Sequence, residues 1–367
     1  MGNKNICFVS PQAYPILAQT MHQSIGGAEV QQVLIAKELE KYQFNISFVA
    51  GDYGQKTIEE IDGMRIIESF KEFYGNRKLR FLPDMILLFR ALRIPDADIY
   101  YLRCPIFLLG QVALFCKEYK RKLIFSASKD LDAQRDYIAS LVFPVNHLAS
   151  YGIMHADVII AQSDHQKENF KKNFGRRSMV IKNGISLPSS PPKRSPSFIL
   201  WVGRIIEWKR PELFLDLAKK IQDASFKMVA IPDRDTSYNE RIRREADKIP
   251  NLEYKNFVPY EEIGQYFDET LLFVNTSSHE GFPNTFLQAW VRYVPTVSLK
   301  IDPDECICKN RLGFHSRTFE QMVKDVELLL EDENLREEMG INARRYVERE
   351  HDMTKIAQQY VNLIENL

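Results

Sequence analysis

A surplus of charge is the first thing this sequence lacks. Lysine plus arginine number 49 and aspartate plus glutamate number 49 in 367 residues, so the formal net charge is zero. A nucleic-acid binder sets a basic excess against phosphate, and that class loses its main support. Cysteine is scarce and odd in number, at Cys7, Cys104, Cys116, Cys306 and Cys308. None forms a CxxC pair, and Cys306-x-Cys308 has no adjoining histidine pattern or second cysteine pair to complete a zinc site. Reduced thiols in a reducing compartment are expected. No uncharged apolar run approaches the ~18 residues of a membrane span. The apolar run at the N-terminus is too short for a signal peptide, and Gly2 lacks the Ser or Thr of a myristoylation signal. These absences predict a cytoplasmic protein. The seven histidines show neither HxxxH nor HExxH spacing, and no G-x-G-x-x-G occurs. A zinc hydrolase and an NAD enzyme are therefore disfavoured.

What is present reads as an ordinary globular α/β chain, 45% hydrophobic and 27% charged. The neutral total hides two halves. Residues 1–193 carry 25 basic and 19 acidic side chains, and residues 194–367 carry 24 and 30. Short β-branched runs alternate with helical patterns. Runs at 6–9, 46–49, 99–101, 123–125 and 158–160 predict a first parallel sheet. Val30, Val33, Leu34 and Leu39 predict a helix between its first two strands. Residues 187–197, LPSSPPKRSPS, sustain neither helix nor central strand and read as a linker. The pattern restarts at 198–202, 227–231, 272–274 and 295–298, and turns helical from about Thr318. The fold class is α/β with two Rossmann-like domains. The first spans 1–186 and the second 198–367, with a final helix able to pack back on the first.

Two segments carry chemistry. Gly203-Arg204 follows the strand at 198–202, and Lys209 precedes Pro211, which suits the first turn of a helix. Cations at the carboxyl edge of an open sheet suit a diphosphate. Solvated loop charges are the bland alternative. The other segment runs Ser277-Ser278-His279-Glu280-Gly281-Phe282-Pro283-Asn284-Thr285-Phe286-Leu287-Gln288 and opens a helix near Asn284. Its backbone N–H groups and Glu280 suit a hydroxyl-rich ligand. A carboxylate favoured by the helix dipole is the alternative for Glu280, and a polar surface position is the alternative for Gln288.

Together these segments resemble the GT-B glycosyltransferases of the family 4 type, and the resemblance runs over nearly the whole chain. Gly26-Gly27-Ala28-Glu29 is similar to that family's glycine-rich turn. Ala156-Asp157 to Ser163, followed by Lys182-Asn183-Gly184-Ile185, is similar to its usual end of the first domain. The resemblance implies two domains facing each other across a cleft. It places the donor at Gly27, Gly203, Arg204, Lys209, Gly281, Phe282, Pro283, Asn284, Thr285 and Gln288, and the acceptor near Gly26, Gly27, Glu29 and Arg103. Arg204, Lys209, Glu280 and Asp130 are the implied catalytic set. Two positions depart from the family. Gln288 stands where the second glutamate of Glu-x7-Glu is usual, within a GFPNTFLQAW block that resembles a family variant. Ser126-Ala-Ser-Lys-Asp130-Leu-Asp132 stands where many relatives carry His-Asp.

The implied activity is transfer, with retention, from a nucleotide-diphosphate sugar to a hydroxyl of a polysaccharide or lipid-linked acceptor. No cofactor or metal is required in that reading. Asp-x-Asp occurs at 96/98, 130/132, 233/235 and 302/304, which reads as loop carboxylates rather than a metal clamp. Residues 71–93 and 106–122 interleave basic and apolar side chains, suiting peripheral contact with an anionic inner membrane face or, more blandly, packing on the first domain. A nucleotide-sugar epimerase on this fold, and a non-catalytic sugar-nucleotide-binding subunit, are the rival readings.

Overall fold

A computed structural model describes residues 4–20, 26–71, 77–188, 195–233, 235–260 and 262–367, with 77–80 in backbone only. Residues 189–194 of the proline-serine stretch and 72–76 of the basic-apolar segment lie outside the described residues. The chain divides into two compact units, residues 1–184 with 353–367, and residues 185–352.

Among the described residues the first unit holds eight strands: β1 (Asn5–Val9), β2 (Asn45–Ala50), β3 (Ile58–Ile61), β4 (Met64–Glu68), β5 (Ile99–Leu102), β6 (Lys122–Ser126), β7 (Val158–Ala161) and β8 (Met179–Val180). Their order is β3-β4-β2-β1-β5-β6-β7-β8. Every pairing is parallel except β3 with β4. That hairpin turns at Asp62-Gly63, both with positive φ, the Asp-Gly turn whose twist matches flanking strands. The β-branched strands are buried on both faces by helices, as parallel sheets require. Helix Gly27–Lys41 follows β1 and turns Val30, Val33, Ile35, Ala36 and Leu39 inward.

In the second unit β9 (Phe198–Arg204), β10 (Phe226–Ile231), β11 (Leu252–Lys255), β12 (Thr270–Asn275), β13 (Thr296–Ser298) and β14 (Gly313–His315) pair in the order β11-β10-β9-β12-β13-β14. All are parallel. From β9 the chain winds one way through β10 and β11, then returns to the other side of β9 with β12. The strand order reverses between β9 and β12, and in the first sheet between β1 and β5. Open α/β sheets bind ligands beyond the carboxyl ends of the strands at such reversals.

Two expectations for the basic-apolar segments meet the structure differently. Helix Arg77–Arg93 leaves Leu82, Ile86 and Leu87 exposed. The run at 106–116 instead turns Leu108, Leu109, Val112, Ala113, Phe115 and Cys116 into the core, where they pack with helix Val145–His155. Core burial outweighs a lipid-facing role for those side chains. No described helix is long and apolar enough to cross a membrane.

Candidate functional site

The two segments that drew attention in the sequence follow β9 and β12, the strands flanking the reversal of the second sheet. β9 ends at Gly203-Arg204. A Cβ on Gly203 would lie 3.0 Å from the Trp201 ring, so a small residue lets the strand end close over that indole. A 3₁₀ turn, Glu207–Lys209, leads to Arg210 at φ 47 and ψ 56, and Pro211 then opens helix Pro211–Lys220. A left-handed arginine costs roughly 1–2 kcal/mol and persists only when its surroundings hold it. Here Arg210 Nε donates to the Thr276 carbonyl at 2.8 Å and Nη2 to the Ser277 carbonyl at 3.0 Å.

Further bonds lock the two loops together. Thr276 Oγ1 donates to the Lys209 carbonyl at 2.6 Å and accepts from Trp201 Nε1 at 3.0 Å. The Ser278 amide donates to the Trp208 carbonyl at 2.7 Å, and the Trp208 and His279 rings stack with centroids 5.7 Å apart. Lys209 Nζ forms an ion pair with Glu280 Oε1, which also accepts from Ser277 Oγ at 2.8 Å. Both bonds fall on Oε1. The ammonium and carboxylate are only 20% and 15% exposed, so their attraction is less screened than that of a surface pair. Arg204 lies 3.9 Å from Asp233 and stays partly exposed. One cation is thus paired within the site, and the other is held loosely at its rim.

Past Glu280, Gly281 and the buried Phe282 and Pro283 lead into helix Asn284–Trp290, with Asn284 and Thr285 half-buried in its first turn. Phe282 packs edge-on against Phe286 and Trp290 and tilted against His351, which anchors the loop to the core. Gln288 is 8% exposed, so it is not the polar surface position considered above.

In the first unit the expected residues gather at the carboxyl ends of β1, β5 and β6. Gly26 is the N-cap of helix Gly27–Lys41. Glu29 folds its carboxylate back over that turn, and a Cβ on Gly26 would meet its Oε2 at 2.2 Å. Arg103 is buried beyond β5, with Nη2 donating to Asn183 Oδ1 at 2.6 Å. Gln32 Nε2 bridges the strand reversal, donating to Ser10 Oγ at 2.9 Å and to the Arg103 carbonyl at 3.0 Å. Gln31 brackets Gly184 through both its side-chain oxygen and nitrogen. The Asn183-Gly184 pair is thereby pinned to the first unit. Burial, with smaller contributions from the Glu29 and Asp132 carboxylates, pushes the Cys104 thiol up to about 12.

The two aspartates beyond β6 have different work. Asp132 is buried and accepts from the Ser128 amide, Ser128 Oγ and the Lys129 amide, while burial raises its pKa. Asp130 is half-buried and accepts from Gln166 Nε2 at 2.9 Å. The other Asp-x-Asp pairs also hold structure: Asp96 and Asp98 face Arg121, Asp235 caps helix Thr236–Ala246, and Asp302 accepts from the Ile307 and Cys308 amides. Two features escaped sequence reasoning. Arg210, which knits the loops, carries no motif signal. His315 and Asp302 come beside Cys308 only through the turn between β13 and β14, with all three ligand atoms within 4.8 Å of one another.

Known proteins match this chain in both halves. The model for Glycosyl transferases group 1 matches residues 186–346, and that for Glycosyltransferase Family 4 matches residues 25–188. Over 201 residues the chain is 21% identical to an uncharacterized glycosyltransferase of Methanocaldococcus jannaschii, covering 53% of this chain and 56% of that protein. The match thus spans little more than half the length of that relative. Sucrose-phosphate synthase of Thermosynechococcus elongatus has the same fold, with a TM-score of 0.81 at 14% identity over 99% of each chain. HepE of Anabaena, solved with UDP and glucose, has a TM-score of 0.75 at 17% identity over 100% of each chain. With both halves matched in order and both sheets wound alike, the chain belongs to the group 1 glycosyltransferases of the family 4 type, on the GT-B fold.

Proposed function

We propose that this protein transfers a sugar, with retention of anomeric configuration, from a nucleotide-diphosphate donor to a hydroxyl of a polysaccharide or lipid-linked acceptor. The observation that carries the reading is the locked pair of loops at the β9/β12 reversal, with Arg204, Lys209 and Glu280 on them. In this reading Arg204 and Lys209 offset the charge that develops on the departing diphosphate. Glu280 Oε2 accepts from sugar hydroxyls, and the backbone of Gly203 and of residues 281–285 lines the donor, with Gln288 offering an amide to the ribose. The donor phosphate takes the acceptor proton as the new glycosidic bond forms on the same face, so no separate base is obligatory. Cations in place of a divalent ion make the reaction metal-independent. The first unit holds the acceptor beside Gly26, Gly27, Glu29, Arg103 and Asp130. The exposed Leu82, Ile86 and Leu87 on helix Arg77–Arg93 support peripheral contact with an anionic membrane face.

Thermal shift against nucleoside diphosphates and their sugar conjugates tests the donor site, starting with UDP because HepE was solved with it. Binding raises the melting temperature by mass action, and Arg204→Ala should abolish most of that rise. Incubation of a bound donor with membrane-derived acceptor should give a glycosylated product whose anomeric configuration, read by NMR, matches the donor. An isomerised free nucleotide sugar would identify an epimerase instead. Binding without turnover of any donor would identify a binding subunit.

A further inference from the structure

Asp302, Cys308 and His315 sit on three separately anchored pieces of backbone. Asp302 follows β13 and is fixed by accepting from the Ile307 amide at 2.7 Å and the Cys308 amide at 3.3 Å. Its side chain is 2% exposed. Cys308 lies on the short helix Cys306–Asn310, which begins after left-handed residues at Asp304 and Glu305 and ends at left-handed Arg311. His315 closes β14, paired in register with Ser298 of β13. Its Nδ1 lies 3.9 Å from Asp302 Oδ2, and one ligand atom from each of the three residues falls within 4.8 Å of the others.

We propose that these three side chains form a binding site for a zinc-type divalent cation, with Asp302 oxygen, Cys308 sulfur and His315 nitrogen as ligands and a fourth position open to water. A tetrahedral zinc with bonds of about 2.0–2.3 Å keeps its donor atoms about 3–4 Å apart. The Asp302–His315 separation already matches that spacing, and small side-chain rotations close the remainder. One thiolate, one carboxylate and one neutral imidazole balance the charge of a dication and suit zinc or cobalt better than calcium or magnesium, which prefer oxygen. The two amide bonds to Asp302 orient the carboxylate from outside the ligand sphere, the role such partners play in metal sites. Binding forms the sulfur–metal bond and releases the Cys308 proton to solvent, one proton per metal. The ion clamps the 302–315 turn of the second unit and takes no part in the sugar transfer proposed above.

Cobalt(II) titration of the full chain, after chelation and removal of the chelator, is the direct test. One equivalent should produce a thiolate-to-cobalt charge-transfer band that zinc bleaches and that is lost in Cys308→Ser. A second measurement needs no variant: saturating zinc should slow alkylation of Cys308 by iodoacetamide at least tenfold, located by mass spectrometry. Absence of the band in the unsubstituted protein, its persistence in Cys308→Ser, or unchanged alkylation of Cys308 under zinc would each overturn the site.

Discussion

At the scale of single residues the second unit concentrates its unusual choices at one place. Lys209 and Glu280 neutralise each other in a half-sheltered position, and Arg210 adopts a conformation that arginine rarely takes. An ion pair so placed does two jobs. It ties the two loops together, and in the proposed donor site it would present a lysine whose charge a diphosphate shares. Removing one partner leaves the other poorly solvated. Lys209→Ala should lower transfer by about 10²–10³-fold, the range for losing one preorganised donor to a developing negative charge. Glu280→Gln should weaken donor binding while keeping the loop shape. Because the two groups touch, their losses in a double-mutant cycle should be non-additive by about 0.5–3 kcal/mol. Additive losses would show that they act separately.

Among elements, helices Leu109–Glu118 and Val145–His155 of the first unit approach each other closely. A Cβ on Gly110 would lie 2.2 Å from the Leu148 carbonyl oxygen, and one on Gly152 would lie 2.8 Å from the Leu109 backbone. At Gly110 the obstacles are all backbone atoms, and at Gly152 the Leu109 side chain stands in the way together with the backbone of residues 109 and 110, so moving one side chain does not clear either contact. Gly110→Ala and Gly152→Ala should each destabilise the first unit by about 1–3 kcal/mol or more, as overpacking does. Chemical denaturation would measure it, while affinity at the proposed donor site in the other unit should stay near that of the unsubstituted protein. In the same pair of helices most of the apolar side chains of the run at 106–116 are buried, while Leu114 stays exposed.

For the molecule as a whole, the chain returns to its starting unit. Helix Met353–Glu365 packs with Gly27–Lys41. The Tyr101 and Tyr360 hydroxyls lie 3.1 Å apart, and Lys4 Nζ donates to the Ile364 carbonyl at 2.6 Å. Tyr360 is fully buried, so Tyr360→Ala should cost about 3–5 kcal/mol, the usual loss for a large aromatic truncated in a core. All three tryptophans, Trp201, Trp208 and Trp290, belong to the second unit. The substitution should therefore shift melting followed by far-ultraviolet circular dichroism more than melting followed by tryptophan fluorescence. Equal shifts by both probes would show that the two units unfold as one.

Local pattern determined much of this protein. Burial of β-branched runs on both faces needs only their composition, so the strands beginning near residues 6, 46, 99, 123, 158, 198, 227 and 272 were legible, as was the helix opening near Asn284. The order of the glycosyltransferase motifs along the chain was legible too, because each spans a few contiguous residues. The β3–β4 hairpin was missed although Asp62-Gly63 marks its turn, since β3 alternates between exposed and half-buried positions and the buried residues of β4 are broken by Arg65. The tertiary structure alone decided what depends on distant partners. Arg210 meets the carbonyls of residues 276 and 277, Tyr360 meets a tyrosine 259 positions earlier, and His315 reaches Asp302 and Cys308 through parallel pairing of β13 with β14. Periodicity reports which face of an element is apolar. It carries no record of which polar side chains the folded sheet brings within hydrogen-bond or ligand distance.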